Sequence, residues 1–508
     1  MRPTAILRLA PALAACLALL LPVGSAAAEP IGLVEQFSAP GMITSLAPGA
    51  GGAVWFTFKS PTVSPYHYAR GLGHAGATGK VRRVRPGLGH GAIPVAVSGG
   101  PGENAWLRVG GEAPALARIA PGGSIRKFRL PATPSRPAFA GGSVWFAAGG
   151  RLWRLSGPGP PRVFAVPGTV AAVSAYGEGP LWFAGKLKGT ATLGRVDALG
   201  AVAEYGAGLP AGAGVANLTA DAAGGAWFLV GAKSLATGPQ LARVGPAGEI
   251  SITAGPGFSS QYFAGPIAGA AGELWFTTGG EVGLPGATPS SWPAASVGRI
   301  GTDGSLTPLS ECLRPVQPYA GPKALTLGAE GNAWFAIDSE TEYHGGIGGP
   351  SGIGRVTPSG QITEFEAGLE IAPTAITTAG DGAIWVGSDE EFGLARLLPP
   401  SVPPNAFRVL SGGSVGAGGT GTAPLLAPGP GEARIEALNR SGPPDVQTET
   451  VAVTCRPASL TVRPSARILR KAAREGGLKV HYRLTYVPTG GTPYSQRGTT
   501  YVSGGRLG

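Results

Sequence analysis

The chain reads as all-β: an eight-bladed, alternatively seven-bladed, β-propeller closed by its N-terminal strand, followed by a small β-sandwich-like domain. Three observations predict this. One tryptophan position recurs along most of the chain, an arginine-bearing strand follows it, and the units alternate in strand fashion with no helical period.

The tryptophan signal comes first. Gly52-Ala53-Val54-Trp55-Phe56 is echoed by Asn104-Ala105-Trp106-Leu107, Ser143-Val144-Trp145-Phe146 and Pro180-Leu181-Trp182-Phe183. Gly225-Ala226-Trp227-Phe228, Glu273-Leu274-Trp275-Phe276, Asn332-Ala333-Trp334-Phe335 and Ala383-Ile384-Trp385-Val386 continue the series. The tryptophans stand 51, 39, 37, 45, 48, 59 and 51 residues apart, and they account for eight of the ten in the chain. A single four-stranded unit of that length cannot bury both faces. Units stacked radially can, and they leave only short edges. Each tryptophan is then the large wedge between neighbouring sheets.

The other strands of the unit follow in order. After the tryptophan comes an aliphatic-small-Arg-aliphatic run, as in Leu116-Ala117-Arg118-Ile119, Leu193-Gly194-Arg195-Val196 and Ile353-Gly354-Arg355-Val356. A short Gly turn leads to a further strand such as Gln361-Ile362-Thr363-Glu364-Phe365, and a strand such as Lys323-Ala324-Leu325-Thr326-Leu327 precedes each tryptophan. The arginines are expected to serve structure, reaching backbone carbonyls or a neighbouring blade. The unit between Trp55 and Trp106 has a weak fourth strand, which keeps the seven-bladed alternative open. The last unit runs into Pro399-Pro400 without a fourth strand, and Gly32-Leu33-Val34-Glu35-Gln36-Phe37 matches the missing one. The N-terminal strand is therefore expected to complete the final blade.

Gly and Pro, 87 and 49 residues, together make up roughly a quarter of the chain, near the level at which disorder becomes the competing reading. A hydrophobic content of 43% in evenly spaced packets argues instead for turn residues between strands. At the N-terminus, Arg2 and Arg8 precede the apolar run Leu9 to Leu21, and Ser25-Ala26-Ala27-Ala28 offers a cleavage site after Ala28. This predicts a signal peptide over 1–28 and a secreted or cell-surface protein. Leu13-Ala14-Ala15-Cys16 resembles a lipoprotein box, an alternative that would anchor the chain at Cys16. Cys312 and Cys455 lie in different expected domains and stay open between one disulfide and two thiols; no CxxC or His/Cys cluster suggests zinc.

Residues 29–400 are assigned to the propeller, 401–423 to a linker and 424–508 to a basic, Ig-like β-rich domain with a short helix near Ser465 to Glu475. The net charge of +11 is uneven: residues 401–508 hold thirteen Lys/Arg against five Asp/Glu. The tail domain is thus suited to attachment at an anionic cell-wall or membrane surface. Nucleic acid is not expected as a partner of an exported chain, and a monomer is.

The unit from Pro322 to Phe335, with Ile353 to Phe365 after it, resembles the repeat of the virginiamycin B (streptogramin) lyase family over roughly residues 31–398. The resemblance implies a propeller, seven-bladed in the family's enzymes, with Mg²⁺ at its centre serving an elimination that opens an ester. It does not carry over the functional residues. The family's His after the inner-strand Pro falls here on Lys323 and Thr374. Its Glu three residues past the tryptophan falls on Phe58, Val109, Ala148, Gly185, Val230, Thr278, Ile337 and Ser388, none acidic.

Other residues remain as a candidate site on the blade loops. Asp338, Glu342 and His344 lie in one loop and Asp389 and Glu390 in the next blade, with Lys323 nearby. Asp338, Glu342 and Glu390 are the carboxylates that can hold Mg²⁺ or Ca²⁺ if the loops meet. Tyr66, His67 and Tyr68 form a second candidate rim. The expected function is an exported, non-catalytic propeller that binds a small molecule, peptide or glycan at the blade-loop face. The alternative is a divergent Mg²⁺-dependent streptogramin lyase-like or lactonase-like enzyme.

Overall fold

The computed structural model describes residues 29–503 apart from 63–67, 86, 232–239, 254–262, 269–271, 279–295, 302–303, 310–320, 339–350, 410–419, 439–441 and 455–457. The signal segment, Cys16, Cys312, Cys455, Glu342, His344, Tyr66 and His67 lie outside the described residues. Each repeat tryptophan sits on the second strand of a four-stranded antiparallel sheet, and eight such sheets are present among the described residues. In the Trp334 sheet the strands are Gly321–Leu327, Ala333–Asp338, Gly352–Val356 and Ile362–Phe365. The fold is a β-propeller.

The local chemistry of the repeat explains its motifs. Trp334 pairs with Arg355 across the second and third strands, and the guanidinium lies over the indole, 5.7 Å from its centroid. Trp227 with Arg243 and Trp385 with Arg396 repeat the arrangement, each at 5.9 Å. The small residue before the Arg is a steric demand in most sheets; in the Trp145 sheet Trp153 takes the place and stacks on Phe146. A Cβ on Gly354 would stand 2.0 Å from the ring of Phe335, its cross-strand partner, so only hydrogen fits beneath that ring. The arginines then reach carbonyls of the following sheet: Arg195 donates to Pro246 O at 2.6 Å and Arg299 to Pro358 O at 2.7 Å. Others close on a turn carboxylate, Arg243 on Asp221 and Arg396 on Asp381, both at 2.9 Å.

Packing between sheets follows a cyclic rule. Trp55 is buried against Leu107 and Val109 of the next sheet, Trp106 against Phe146, and Trp145 against Phe183. Trp182, Trp227, Trp275 and Trp334 repeat this with Phe228, Phe276, Phe335 and Ile384. Trp385 packs on Phe56 of the first sheet, which closes the ring. Each buried large apolar side chain is worth roughly 1.5–3 kcal/mol, so the tryptophans are a main source of cohesion between sheets. Hydroxyls on the first strands add a polar link. Ser45 Oγ accepts from Val97 N–H at 2.8 Å, Ser174 Oγ from Ala220 N–H at 2.9 Å, and Thr326 Oγ1 from Thr378 N–H at 3.2 Å.

The closing strand forms where the sequence places it. Glu35–Ser38 pairs antiparallel with Gly393–Leu397, Phe37 opposite Leu394, and completes the Trp385 sheet. Phe37 stands 5.7 Å from Trp385, as Phe365 stands 5.5 Å from Trp334.

The Trp55 sheet departs from expectation. Tyr68, read as loop, begins the third strand Tyr68–Ala75, and Arg83 belongs to the fourth, Val81–Val84. The Arg position is taken by His74, opposite Trp55 with ring centroids 4.6 Å apart. A reading keyed on arginine passes over Leu72-Gly73-His74-Ala75, although its aliphatic-small pattern is intact.

The C-terminal part forms a three-stranded sheet, a four-stranded sheet and the helix Ala466–Glu475 around one apolar core containing Ile435, Leu460, Leu484 and Tyr486. The stretch read as linker is partly structured: Arg408–Val409 pairs with Gly421–Leu426, because its small residues alternate inward against Leu460 and Val462. Asn405, fully buried, joins this unit to the ring. Its Oδ1 accepts from Ile31 N–H at 2.7 Å and its Nδ2 donates to Thr492 O at 3.1 Å.

Candidate functional site

Each first strand begins, and each second strand ends, on the same side of the ring, here termed the upper face. Register fixes what stands there. Four residues past the repeat tryptophan, on the second strand or just beyond its end, stand Lys59, Gly110, Gly149, Lys186, Gly231, Asp338 and Asp389; in the Trp275 sheet this position lies outside the described residues. Two of the expected site residues, Asp338 and Asp389, therefore occupy equivalent places on adjacent sheets, and Lys59 occupies the third.

Lys323 and Asp338 come together. The first strand of the Trp334 sheet bulges between Pro322 and Ala324, so that Lys323 is the extra residue, while Gly321 pairs with Asp338. The ammonium forms an ion pair with the fully buried carboxylate of Asp338. A buried carboxylate is costly unless paired, and the bulge aims the lysine at it. On the next sheet, Ser388 takes the position three past the tryptophan. Its Oγ accepts from the N–H groups of Glu390 and Glu391 at 3.2 and 3.1 Å and so shapes the acidic turn. Asp389 approaches Lys59 of the first sheet at 4.0 Å, and its N–H donates to Thr374 Oγ1 at 3.0 Å. Glu391 accepts from Ala372 N–H at 2.9 Å. Lys59 also lies 5.6 Å from the Tyr68 ring.

These residues do not fit a resident Mg²⁺. The carboxylate of Asp338 faces an ammonium, and Asp389 another. Among the described residues no group of three His, Cys, Asp or Glu converges as a metal site would require. The positions that the lyase resemblance would make acidic are apolar or hydroxyl-bearing: Phe58, Val109, Ala148, Ile337 and Ser388 are all buried. No catalytic step through a metal follows from this geometry.

A different part of the upper face opens into a cavity of about 730 Å³ spanning the Trp106, Trp145, Trp182 and Trp227 sheets. Its apolar lining includes Ala147, Ala148, Val170, Ala184 and Val215, and its cations are Arg108 and Lys186. Two causes make the hollow. Gly149 and Gly150 turn the Trp145 sheet with positive φ and no side chains, and Ala171 occupies the bulge position that Lys323 fills in the Trp334 sheet. Arg108 Nε donates to Pro134 O at 2.8 Å, which holds its guanidinium in place. Arg136, next in sequence to the lining residue Ser135, lies near enough for its charge to act on Arg108. It touches solvent, yet protein surrounds it closely enough to push its pKa down; burial and then the Arg136 charge do the same to Arg108.

Sequence reasoning singled out none of Arg108, Arg136 or Lys186. The signal was available only through register, since Lys186 shares with Asp338 and Asp389 the position four past the tryptophan. The His74 imidazole is also pushed down, first by burial and then by the charge of Arg82, its cross-strand partner.

No protein-family profile and no curated protein matches the chain. Among solved structures it is similar to a streptogramin B lyase, at 18% identity and a TM-score of 0.40, covering 72% of this chain and 97% of that one. A catalytically inactive virginiamycin B lyase from Staphylococcus aureus with quinupristin gives 17% identity and 0.40, covering 72% and 99%. YCF48 bound to D1 peptide gives 13% and 0.41, covering 73% and 100%. All are propeller folds, and the likeness extends to the fold alone.

Proposed function

We propose that this chain is an exported, non-catalytic β-propeller that binds a small molecule in the upper-face pocket, with the C-terminal unit serving attachment. The observation that carries the reading is the pocket itself. A cavity of about 730 Å³ lies within the range of roughly 300–1,000 Å³ typical of small-molecule sites, with an apolar lining and few polar groups. The signal-like segment ending at Ala28 supports export, and the basic balance of residues 401–508 supports attachment to an anionic surface. Asp338 on the Trp334 sheet and Asp389 at the end of the Trp385 sheet are each met by a lysine, Lys323 and Lys59, as structural groups are.

The test is a thermal-shift screen of the mature chain from Glu29 onward. The panel holds small organic acids, alcohols and amines, di- and tripeptides, and short oligosaccharides. At least one class should raise the Tm of the native chain and leave Ala171→Trp unmoved, because the indole would fill the cavity from an exposed bulge position. A panel that shifts both proteins equally, or neither, removes the reading.

A further inference from the structure

We infer that the upper-face pocket is an anion site, built for a small organic molecule that carries a carboxylate or phosphate on an apolar body. The inference rests on the binding function proposed above and names the class of its ligand. It begins with a charge imbalance. Arg108 and Lys186 line the pocket, and no Asp or Glu is among the lining residues. Arg136, whose charge acts on Arg108, adds a third cation nearby.

Among the described residues none of the three has an ion pair, and the side chains of Arg136 and Lys186 make no hydrogen bond. Some other cations of the propeller do meet a carboxylate. Lys323 and Lys59 on the same face each meet a carboxylate, and Arg243 and Arg396 each close on an aspartate. Arg108 is half-buried and lies within reach of the Arg136 charge, and both effects disfavour its own charge. An anion relieves both the repulsion and the lost solvation.

Position and shape add to charge. The Arg108 guanidinium is anchored through Nε to Pro134 O, which leaves its terminal nitrogens to donate to a ligand oxygen. Ala147, Ala148, Ala184 and Val170 contribute methyl groups to the lining and outnumber the hydroxyls of Thr133, Ser135 and Thr169, so the remainder of the ligand is mainly apolar. A free inorganic ion would leave that floor uncovered.

The test uses four matched naphthalene probes on the chain from Glu29 onward, read by calorimetry: 2-naphthoate, 2-naphthyl phosphate, 2-naphthylmethanol and 2-naphthylmethylamine. Either anion should bind at least tenfold tighter than the alcohol, and whichever anion is tighter identifies the headgroup. Lys186→Gln and Arg136→Gln should each weaken the anion at least fivefold and leave the alcohol unchanged. Thermal unfolding of both variants checks their folding, and Arg136→Gln should unfold no lower than the native chain. Equal binding of alcohol and anion, abolished by Ala171→Trp, would overturn the anion inference and leave the pocket as a binding site. Tighter binding of the amine overturns it as well. Probe binding that survives Ala171→Trp, or no binding by any probe, overturns both.

Discussion

The arc of the ring that holds Trp334, Trp385 and Trp55 and the arc that holds Trp106, Trp145 and Trp182 share strand order, tryptophan register and upper-face geometry. On the first arc, carboxylates stand four residues past two tryptophans, and ammonium groups answer them: Lys323 meets Asp338, and Lys59 meets Asp389. The second arc carries Lys186 at that position, and it lines a pocket with Arg108 in which no carboxylate stands among the described residues. The first arc also contains the seam, where Glu35–Ser38 joins the last sheet. The difference teaches that one scaffold can use the same register to fasten the ring in one place and to leave a charged opening in another.

The comparison breaks most severely at the seam. Removing residues 29–38 should abolish cooperative unfolding, because the Trp385 sheet loses its fourth strand and the ring its closure; circular dichroism on heating reads this directly. A single sharp transition near the native Tm would show that the ring does not depend on its clasp. Next, Asp338→Ala should destabilise by about 3–5 kcal/mol in denaturant titrations, the usual cost of leaving one member of a buried pair alone. The contrasting change on the open arc, Lys186→Gln, should stay within about 0.5 kcal/mol, as surface substitutions without partners do. Equal losses from the two would erase the distinction between fastened and open arcs.

Smaller effects sharpen the picture. Asn405→Ala should cost about 1–3 kcal/mol, since Ile31 N–H and Thr492 O both lose their partner. Limited proteolysis should then release the C-terminal unit sooner.

The last prediction concerns His74, whose folded pKa lies below its unfolded value. Above the unfolded value, near 6.5, the imidazole is neutral in both states and makes no pH-dependent contribution. As pH falls below that value the unfolded chain takes up the proton first, so stability declines until pH passes the lower, folded pKa. His74→Gln should flatten that part of the stability profile between pH 7 and 5. An unchanged profile would place the titration elsewhere.

Much of the fold was legible from residue order. The tryptophan spacing located every second strand, the aliphatic-small-Arg runs located most third strands, and the match between Gln36-Phe37 and Glu364-Phe365 located the closure. These signals survive because each is a local steric need: an indole between sheets, a Gly or Ala beneath a Phe ring, an aromatic on the outer strand. The Trp55 sheet was misread only where His74 replaced the expected arginine. The site was less legible. Lys323, Asp338, Asp389 and Glu390 were found by charge and proximity in sequence, but charge alone does not reveal which carboxylates are already answered by a lysine.

Composition and periodicity by themselves determined an all-β repeat, the place of its wedge residues and the strand that completes it, because sheet burial and the two-residue alternation are written into neighbouring positions. Only the tertiary structure decided which charges meet. Lys59 and Asp389 are 330 residues apart in sequence and adjacent across the seam, and Arg108 and Lys186 face one cavity from sheets two blades apart. Coulomb energy depends on distance through space, which closing a ring changes far more than any local rule can anticipate.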